Sequence, residues 1–293
     1  MEISKFLEFY ASVKRASPHT VRAYQTDLNA FHNFCCQKPF SEVTKYEIRA
    51  YLMALYNEKV SKKTVARKAA SLRSFFSYLV VHEGLGHNPM DLIDPIKQEA
   101  CLPRAVSTEE VKMLLESVDP STFFGLRDRC ILELFYSSAL RLSEVEGLNW
   151  EDFSLEERLV LVRGKGNKSR IVPFTETVKK WLQLYKEHPQ NRLGDPKVVF
   201  VNRQGGRITA RSIDRLFKDY VHKAGLSPLI TPHVLRHSIA THWLDRGMDL
   251  KSIQEILGHE SLGTTQIYTK ISKTKKLDVY QKAHPLEASR VLT

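Results

Sequence analysis

With 293 residues, 42% of them hydrophobic, the chain can bury the core of one large or two ordinary domains. The 44 Lys and Arg outnumber the 33 Asp and Glu, and the net charge of +11 favours nucleic acid as a partner; a basic face without any ligand is the alternative. The 4 cysteines form no CxxC pair, and no apolar run approaches the ~18 residues of a membrane span. We therefore expect a protein of the reducing cytoplasm, without a disulfide framework or membrane anchor.

The first hundred residues carry the start signals of several helices. Ser17 and Pro18 suit an N-cap and a first helical position, and apolar residues follow at spacings of three and four. Thr44 and Glu47 form a capping box, and Ser61 opens a further helix with several lysines and arginines beside its apolar stripe. This region is predicted to be helical.

A change of composition separates this region from the rest of the chain. Prolines recur without a sustained hydrophobic period, and a capping box from Ser107 to Glu110 follows. We therefore predict a helical domain at residues 1–88, a linker at 89–105 and a second domain at 106–293.

The second domain is predicted to be mainly α with a small β-sheet, an α+β arrangement. Leu159–Arg163 and Ser169–Pro173 alternate in hydrophobicity around a glycine-bearing turn, which indicates a hairpin. Lys197–Asn202 has the pattern of a further strand. Thr209–Ser272 is again helical in pattern, with turns at glycines.

The densest polar cluster is the segment TPHVLRH, which begins at Thr231. Thr231 suits a cap and Pro232 a first helical position, so His233 falls in the first turn, where a helix favours an anion. His233 and Arg236 share a face, whereas the apolar residues of this helix line another. The pattern predicts that both polar side chains point outward from the core, toward a phosphate.

A zinc site is the alternative for this segment. His233 and His237 are four apart, as in H-E-x-x-H, but the second position is valine and no glutamate lies between the histidines. For His237 and His242 a satisfied core histidine is the favoured interpretation, so neither is assigned a role.

Two further segments carry charged groups suited to phosphate chemistry. Arg141 and Glu144 are three apart on an apparent helix, where the carboxylate can orient the guanidinium; a surface ion pair is the alternative. Lys165 lies between two glycines of the hairpin turn, which allow close approach to a phosphate backbone. The turn GKGNKS is not a nucleotide-binding P-loop, so no ATP site is predicted.

Three motifs together resemble the tyrosine site-specific recombinases, the phage integrase family. They are SALRLSEVEGLNWED, TPHVLRHSIATHWLDRG and IQEILGHESLGTTQIYTKIS. The resemblance extends over almost the whole chain, and among family members the pattern is most similar to the bacterial Xer recombinases of the XerC and XerD type. It implies two domains, a core-binding, SAM-like DNA-binding domain at residues 1–88 and a catalytic domain at 106–293, which form a C-shaped clamp around duplex DNA.

The resemblance also implies a catalytic set, and all of its positions are occupied. Tyr268 is the nucleophile that forms a 3′-phosphotyrosyl link, on the way to a Holliday junction, without metal, ATP or another cofactor. The accompanying catalytic residues are Arg141, Lys165, His233, Arg236 and His259. Ala139 stands where the family usually has glycine, and its methyl group is expected to tune the position of Arg141.

Basic residues away from this set are candidates for DNA contact, though contact with phosphate alone would not specify sequence. They are Lys62, Lys63, Arg67, Arg73, Lys168, Arg170, Arg211 and Arg215.

The resemblance further implies a biological setting. The expected task is chromosome dimer resolution at cell division, by a tetramer of this chain or of this chain with a sister recombinase, with a septal DNA translocase as a further partner. Residues 273–293 resemble the tail that docks on a neighbouring protomer, with Leu277 and Val279 as apolar anchors; a frayed terminus is the alternative. The rival functions are a catalytically inactive DNA-binding relative and the integrase of a mobile element.

Overall fold

The computed structural model describes residues 2–96, 105–164, 169–193, 195–258 and 280–285. The chain divides into two compact units, Met1–Leu102 and Pro103–Thr293. As expected, the architecture is mainly helical, with one small sheet in the second unit. None of the helices in the described ranges is long and apolar enough to cross a bilayer.

Over residues 2–96 the first unit contains four α-helices: α1 (Glu2–Ser12), α2 (Pro18–Phe34), α3 (Lys45–Asn57) and α4 (Lys62–His82). The predicted start signals are confirmed, because the side chains of Ser17, Thr44 and Ser61 each accept a hydrogen bond from a backbone N–H in the first turn. The predicted box between Thr44 and Glu47 is present in both directions. Helices α2, α3 and α4 therefore begin where their local sequence satisfies free N–H groups.

The core of the first unit is rich in aromatic rings. Phe6, Phe31, Phe40, Phe75 and Phe76 are buried, and their rings meet mostly edge to face. Such contacts stabilise a core beyond the burial of area alone. The helical spacing of these apolar residues is thus explained by packing among α1, α2 and α4.

Part of the predicted linker packs on this first unit. Pro89–Leu92 forms a short 3-10 helix, and Met90 is fully buried with the aromatic core. The Arg73 guanidinium donates to the carbonyls of Met90 at 3.3 Å and Ile93 at 2.7 Å. The segment just after the predicted domain boundary is therefore hydrogen-bonded to α4.

Among its described residues, the second unit contains seven α-helices and three strands. They are α5 (Thr108–Glu116), α6 (Phe123–Ser138), α7 (Leu142–Glu146), β1 (Phe153–Ser154), β2 (Leu159–Arg163), β3 (Ser169–Pro173), α8 (Glu176–Glu187), α9 (Ala210–Lys223), α10 (Pro232–Asp245) and α11 (Leu250–Leu257). Helix α6 contacts α5, α8, α10 and β3 and is buried along most of its length. Because nearly every face of α6 packs, its sequence lacks a clear polar stripe.

The sheet is antiparallel with the order β1-β2-β3. The predicted hairpin is confirmed with the expected bounds, and its register pairs Leu159 with Pro173 and Arg163 with Ser169. Strand β1 was not predicted, because its two residues are too few for an alternating pattern. The turn residues 165–168 lie outside the described residues.

The predicted strand at Lys197–Asn202 is wrong. Val198 and Val201 make only isolated bridges, to Asn149 and Arg207. Every residue from Val198 to Val201 is buried, so the apolar run reflects burial of an irregular segment rather than a ladder.

The end of α6 has an unusual backbone conformation. Ala139 is its C-cap, with a left-handed φ of +48°, and it is fully buried. Left-handed geometry costs a residue with a Cβ atom about 1–2 kcal/mol, which explains why glycine suits such a cap. The Ala139 carbonyl accepts a hydrogen bond from Arg236, so this cap belongs to the arrangement that positions Arg236.

The described segment 280–285 packs within the second unit. Tyr280 and His284 are fully buried, and the Tyr280 hydroxyl lies 2.8 Å from both the hydroxyl and the carbonyl of Ser137. The Tyr280 ring also meets Trp243 edge to face. The predicted anchors Leu277 and Val279 lie outside the described residues.

Acid is expected to loosen this packing. Burial lowers the pKa of His284 to about 3. Below the ordinary pKa of 6.5, His284 therefore takes up a proton in the unfolded chain but stays neutral in the folded chain. Stability is therefore complete above pH 6.5 and declines as pH falls toward 3, at up to about 1.4 kcal/mol per pH unit.

Urea unfolding followed by tryptophan fluorescence measures this effect, since all 3 tryptophans lie in the second unit. The variant His284→Gln should show a shallower loss of unfolding free energy between neutral pH and about pH 5. An equal slope in the parent chain and the variant would contradict the assignment to His284.

Candidate functional site

The start of α10 is built as predicted. The Thr231 hydroxyl accepts the Val234 N–H at 3.2 Å, Pro232 stands in the first turn, and the exposed His233 follows it. The conformation is set locally, because threonine caps the free N–H groups and proline lacks one. His233 therefore lies at the surface at the positive end of α10.

The predicted outward orientation is wrong for Arg236, which is buried. Its Nη1 donates to the Ala139 carbonyl and its Nη2 to the Leu257 carbonyl. Burial of a guanidinium is tolerated here because acceptors at the ends of α6 and α11 satisfy it.

Glu144 lies beneath the arginines as a buried carboxylate. The Arg141 backbone N–H donates to Glu144 Oε2 at 2.8 Å, and Arg141 Nη1 donates to Oε1 at 2.7 Å. Arg141 is the N-cap of α7 rather than a helical residue, so the predicted placement of both on one helix is corrected: Glu144 in the first turn accepts the Arg141 backbone N–H. The orientation of Arg141 by Glu144 is confirmed, and the surface alternative is wrong because Glu144 is 6% exposed.

A third arginine reaches the same carboxylate from the sheet. Arg170 in β3 donates from Nη1 to Glu144 Oε1 at 2.7 Å and from Nη2 to Oε2 at 2.8 Å. Its Nε donates to the Ile256 carbonyl at 2.7 Å. Arg170 was predicted from the sequence to contact DNA; the role shown here leaves no sequence signal, because the partners are remote in sequence.

The three arginines donate hydrogen bonds to three consecutive carbonyls at the end of α11. Arg170 donates to the carbonyl of Ile256, Arg236 to that of Leu257 and Arg141, at 3.2 Å, to that of Gly258. These carbonyls belong to the helix end, where acceptors lack intrahelical partners and the helix dipole is negative. The end of α11 is therefore a fixed acceptor for three cations.

Charge in this arginine cluster (Arg141, Arg170 and Arg236 around Glu144) remains positive overall. Burial alone would raise the pKa of Glu144, but the hydrogen bonds and charges of Arg170 and Arg141 outweigh it and lower the pKa. Burial, with Arg141 nearby, lowers the pKa of Arg236 to about 10, which leaves it cationic at neutral pH. Since 41% of the Arg141 side chain is exposed, an anion can reach the cluster there.

The other predicted catalytic residues cannot be placed. Lys165, His259 and Tyr268 lie outside the described residues, so their roles stay predictions. Gly258 is the last described residue before His259 and has a left-handed φ of +67°.

The candidates for DNA contact divide by environment. Lys62, Lys63 and Arg67 on α4 and Arg211 and Arg215 on α9 are exposed. Lys168 lies outside the described residues, whereas Arg73 and Arg170 donate hydrogen bonds to acceptors within the protein.

A buried carboxylate, which the sequence analysis missed, underlies part of the α4 surface. Asp27 is 1% exposed and pairs with Arg67, with Lys68 at 3.3 Å and with the Ser71 hydroxyl at 2.9 Å. In the sequence, the signal for this pairing was an aspartate on the buried side of α2, opposite a basic helix. Asp27 orients Arg67 while Arg67 remains about half exposed.

The remaining histidines of α10 differ in burial. His237 is exposed, so the core interpretation is wrong for it, whereas His242 is half-buried with Nδ1 3.4 Å from the Tyr136 hydroxyl. Across the ranges that the structure describes, no three His, Cys, Asp or Glu side chains group as metal ligands would.

Two family models match the chain. The model described as phage integrase family covers residues 104–275, and the model described as phage integrase, N-terminal SAM-like domain covers residues 3–83. The first of these alone spans more than half of the 293 residues.

Curated relatives and a solved structure agree with these matches. The tyrosine recombinase XerC of Chlamydia pneumoniae is 42% identical, over 97% of this chain and 98% of the relative. That of Syntrophus aciditrophicus is 42% identical over 97% of each chain. A crystal structure of a lambda integrase dimer bound to a COC′ core site has the same fold, with a TM-score of 0.70 and 18% identity over 92% of this chain and 98% of that one. The chain therefore belongs to the phage integrase family of tyrosine recombinases.

Proposed function

We propose that this tyrosine recombinase cleaves and rejoins duplex DNA through a covalent bond between a DNA phosphate and Tyr268. The observation that carries the proposal is the arginine cluster at the end of α11, which keeps an excess of positive charge and leaves Arg141 accessible. The chain continues from this helix end directly into His259 and then to Tyr268. A phosphate held by the cluster would therefore meet the nucleophile from the same segment.

In the proposed step the Tyr268 oxygen attacks the scissile phosphorus and the bond to the 5′ oxygen of the next nucleotide breaks. The product is a 3′-phosphotyrosyl ester and a free 5′ hydroxyl. Attack by the 5′ hydroxyl of another strand reverses the exchange and restores a phosphodiester, so the bond energy is conserved. Arg141 and Arg236 stabilise the charge that grows on the non-bridging oxygens.

Proton transfer is assigned to the remaining members of the set. A tyrosine hydroxyl has an ordinary pKa near 10 and needs a proton acceptor or cationic surroundings at neutral pH. His233, exposed in the first turn of α10, accepts that proton. Lys165 protonates the departing 5′ oxygen, and His259 donates a further hydrogen bond to the phosphate.

The relatives support an inference about the assembly and the biological task. Similarity to the XerC recombinases and to the DNA-bound lambda integrase dimer supports action on DNA by more than one protomer. We infer a tetramer that exchanges strands through a Holliday junction and resolves chromosome dimers, with a sister recombinase and a septal DNA translocase as partners. The exposed lysines and arginines of α4 and α9 supply the phosphate contacts.

The decisive experiment is adduct formation on a nicked duplex. The duplex carries a binding sequence that the purified chain has itself selected from a randomised pool, and a nick traps the covalent product. We expect a denaturing gel to show a protein–DNA adduct for the parent chain and for Tyr46→Phe, whose tyrosine is 69% exposed, but none for Tyr268→Phe. DNA affinity should be the same for all three.

Either of two results would overturn the proposal. Adduct formation by Tyr268→Phe would remove Tyr268 as the nucleophile. Tight binding by the parent chain without any adduct, also when a sister recombinase is added, would instead support the inactive DNA-binding relative.

A further inference from the structure

Arg170 is one of the two largely buried members of the arginine cluster. The side chain of Arg141 is 41% exposed and that of Arg236 is 7% exposed. The side chain of Arg170 is likewise largely buried, with 13% exposed. Its Nε, Nη1 and Nη2 all donate to protein acceptors at 2.7 to 2.8 Å. Such a guanidinium has little capacity left for a phosphate, so a DNA contact does not explain it.

The contacts of Arg170 join three elements that are separate in sequence. The residue lies in β3, holds Glu144 of α7 with two parallel hydrogen bonds, and holds the Ile256 carbonyl of α11. Two parallel donors on one carboxylate fix its orientation as well as its distance. Arg141 and Arg236 depend on the same carboxylate and on the two carbonyls that follow Ile256.

Arg170 also lies against the backbone at Gly258. A Cβ atom on Gly258 would stand 3.0 Å from Arg170 Cδ and 3.2 Å from its Nε, closer than side chains pack without displacement. The same residue has a φ of +67°. Both the contact with Arg170 and the positive φ therefore favour glycine at the turn where the chain leaves α11.

Electrostatics point the same way. Positive charge on Arg170 lowers the pKa of Glu144, and it also lowers that of Arg236, although burial is the larger cause there. Without Arg170, Glu144 would be balanced by Arg141 and Arg236 alone. Both arginines would then be drawn toward the carboxylate and away from an incoming phosphate.

We propose that Arg170 is a positioning residue for strand cleavage, which holds Glu144 and the end of α11 so that Arg141 and Arg236 face the scissile phosphate. This inference rests on the proposed function, since it concerns the same site. It assigns Arg170 no contact with DNA.

The test compares Arg170→Met with Arg163→Met on the nicked duplex described above. Arg163 is the matched control, because it lies on the neighbouring strand and pairs with a carboxylate, Asp152, outside the arginine cluster. We expect Arg170→Met to keep its DNA affinity within about twofold and to lose about 100-fold in the rate of adduct formation at saturating DNA. Arg163→Met should match the parent chain in both measurements.

The pH profile separates positioning from loss of folding. Removal of Arg170 raises the pKa of Glu144. As the pH is lowered, the rate of adduct formation by Arg170→Met should therefore begin to fall at a higher pH than the rate of the parent chain. If Arg170→Met does not fold, Arg170→Lys takes its place, since lysine keeps the charge but not the two parallel donors; its rate should be about tenfold reduced at unchanged DNA affinity.

Three outcomes would contradict either the positioning role of Arg170 or the proposed function. A rate for Arg170→Met, or for the folded Arg170→Lys, within threefold of the parent chain overturns the positioning role, with ~3-fold being under 1 kcal/mol. A loss of DNA affinity in proportion to the rate overturns it in favour of a phosphate contact. Absence of any adduct with the parent chain overturns the proposed function itself, which is a distinct result.

Discussion

Replacement of Glu144 by glutamine is expected to lower the unfolding free energy of the second unit by about 3–5 kcal/mol, because it leaves buried cations without their counter-ion. The Glu144 side chain is 3% exposed and contacts Arg141, Arg170 and, at 3.9 Å, Arg236. Glutamine keeps the shape of the side chain and one acceptor oxygen but removes the charge. The loss therefore measures the charge and the hydrogen bonds of one carboxylate oxygen rather than packing.

Urea unfolding monitored by tryptophan fluorescence provides the measurement, with Glu156→Gln as the control. Glu156 also pairs with a basic residue of the second unit, Lys179 at 2.9 Å, but its side chain is 85% exposed. Exposed pairs contribute roughly 0–1 kcal/mol, so the control should unfold almost like the parent chain. A loss below about 1 kcal/mol for Glu144→Gln would show that water screens the cluster and would contradict its description as buried.

The sequence predicts those parts of the fold that depend on interactions between residues close together in the chain. Ser17, Thr44 and Ser107 cap their helices through residues two or three positions ahead, and the structure confirms all three. The hairpin is likewise local, because alternation and the turn lie within fifteen residues. In these segments sequence spacing and spatial proximity coincide.

The arrangement of the site could not be predicted in the same way. The acceptors of Arg236 are 97 and 21 residues away, and the acceptors of Arg170 are 26 and 86 residues away. Helical spacing alone placed Arg236 on a polar face, whereas remote carbonyls allow it to be buried. The prediction that Arg141, His233 and Arg236 are site residues came from the motifs, and their geometry came only from the fold.

The second large effect is expected for Arg236→Lys, which retains a positive charge but cannot reach two carbonyls at once. Arg236 donates to Ala139 and Leu257 from separate nitrogens, and both acceptors are backbone atoms in fixed positions. A lysine ammonium is a single point charge, so its position relative to the scissile phosphate is no longer determined by the protein. Loss of one preorganised donor to a developing negative charge typically lowers a rate by about 100- to 1000-fold.

The rate of adduct formation at saturating nicked duplex tests this, together with DNA affinity and the unfolding free energy of each variant. Arg246→Lys is the matched control, since Arg246 is exposed at the other end of the same helix. We expect the control to react at the parent rate and Arg236→Lys to bind DNA normally while cleaving it at least about 100-fold more slowly. If Arg236→Lys cleaves within about tenfold of the parent chain, then charge alone suffices at this position and the fixed geometry between α6 and α11 is not what the reaction requires.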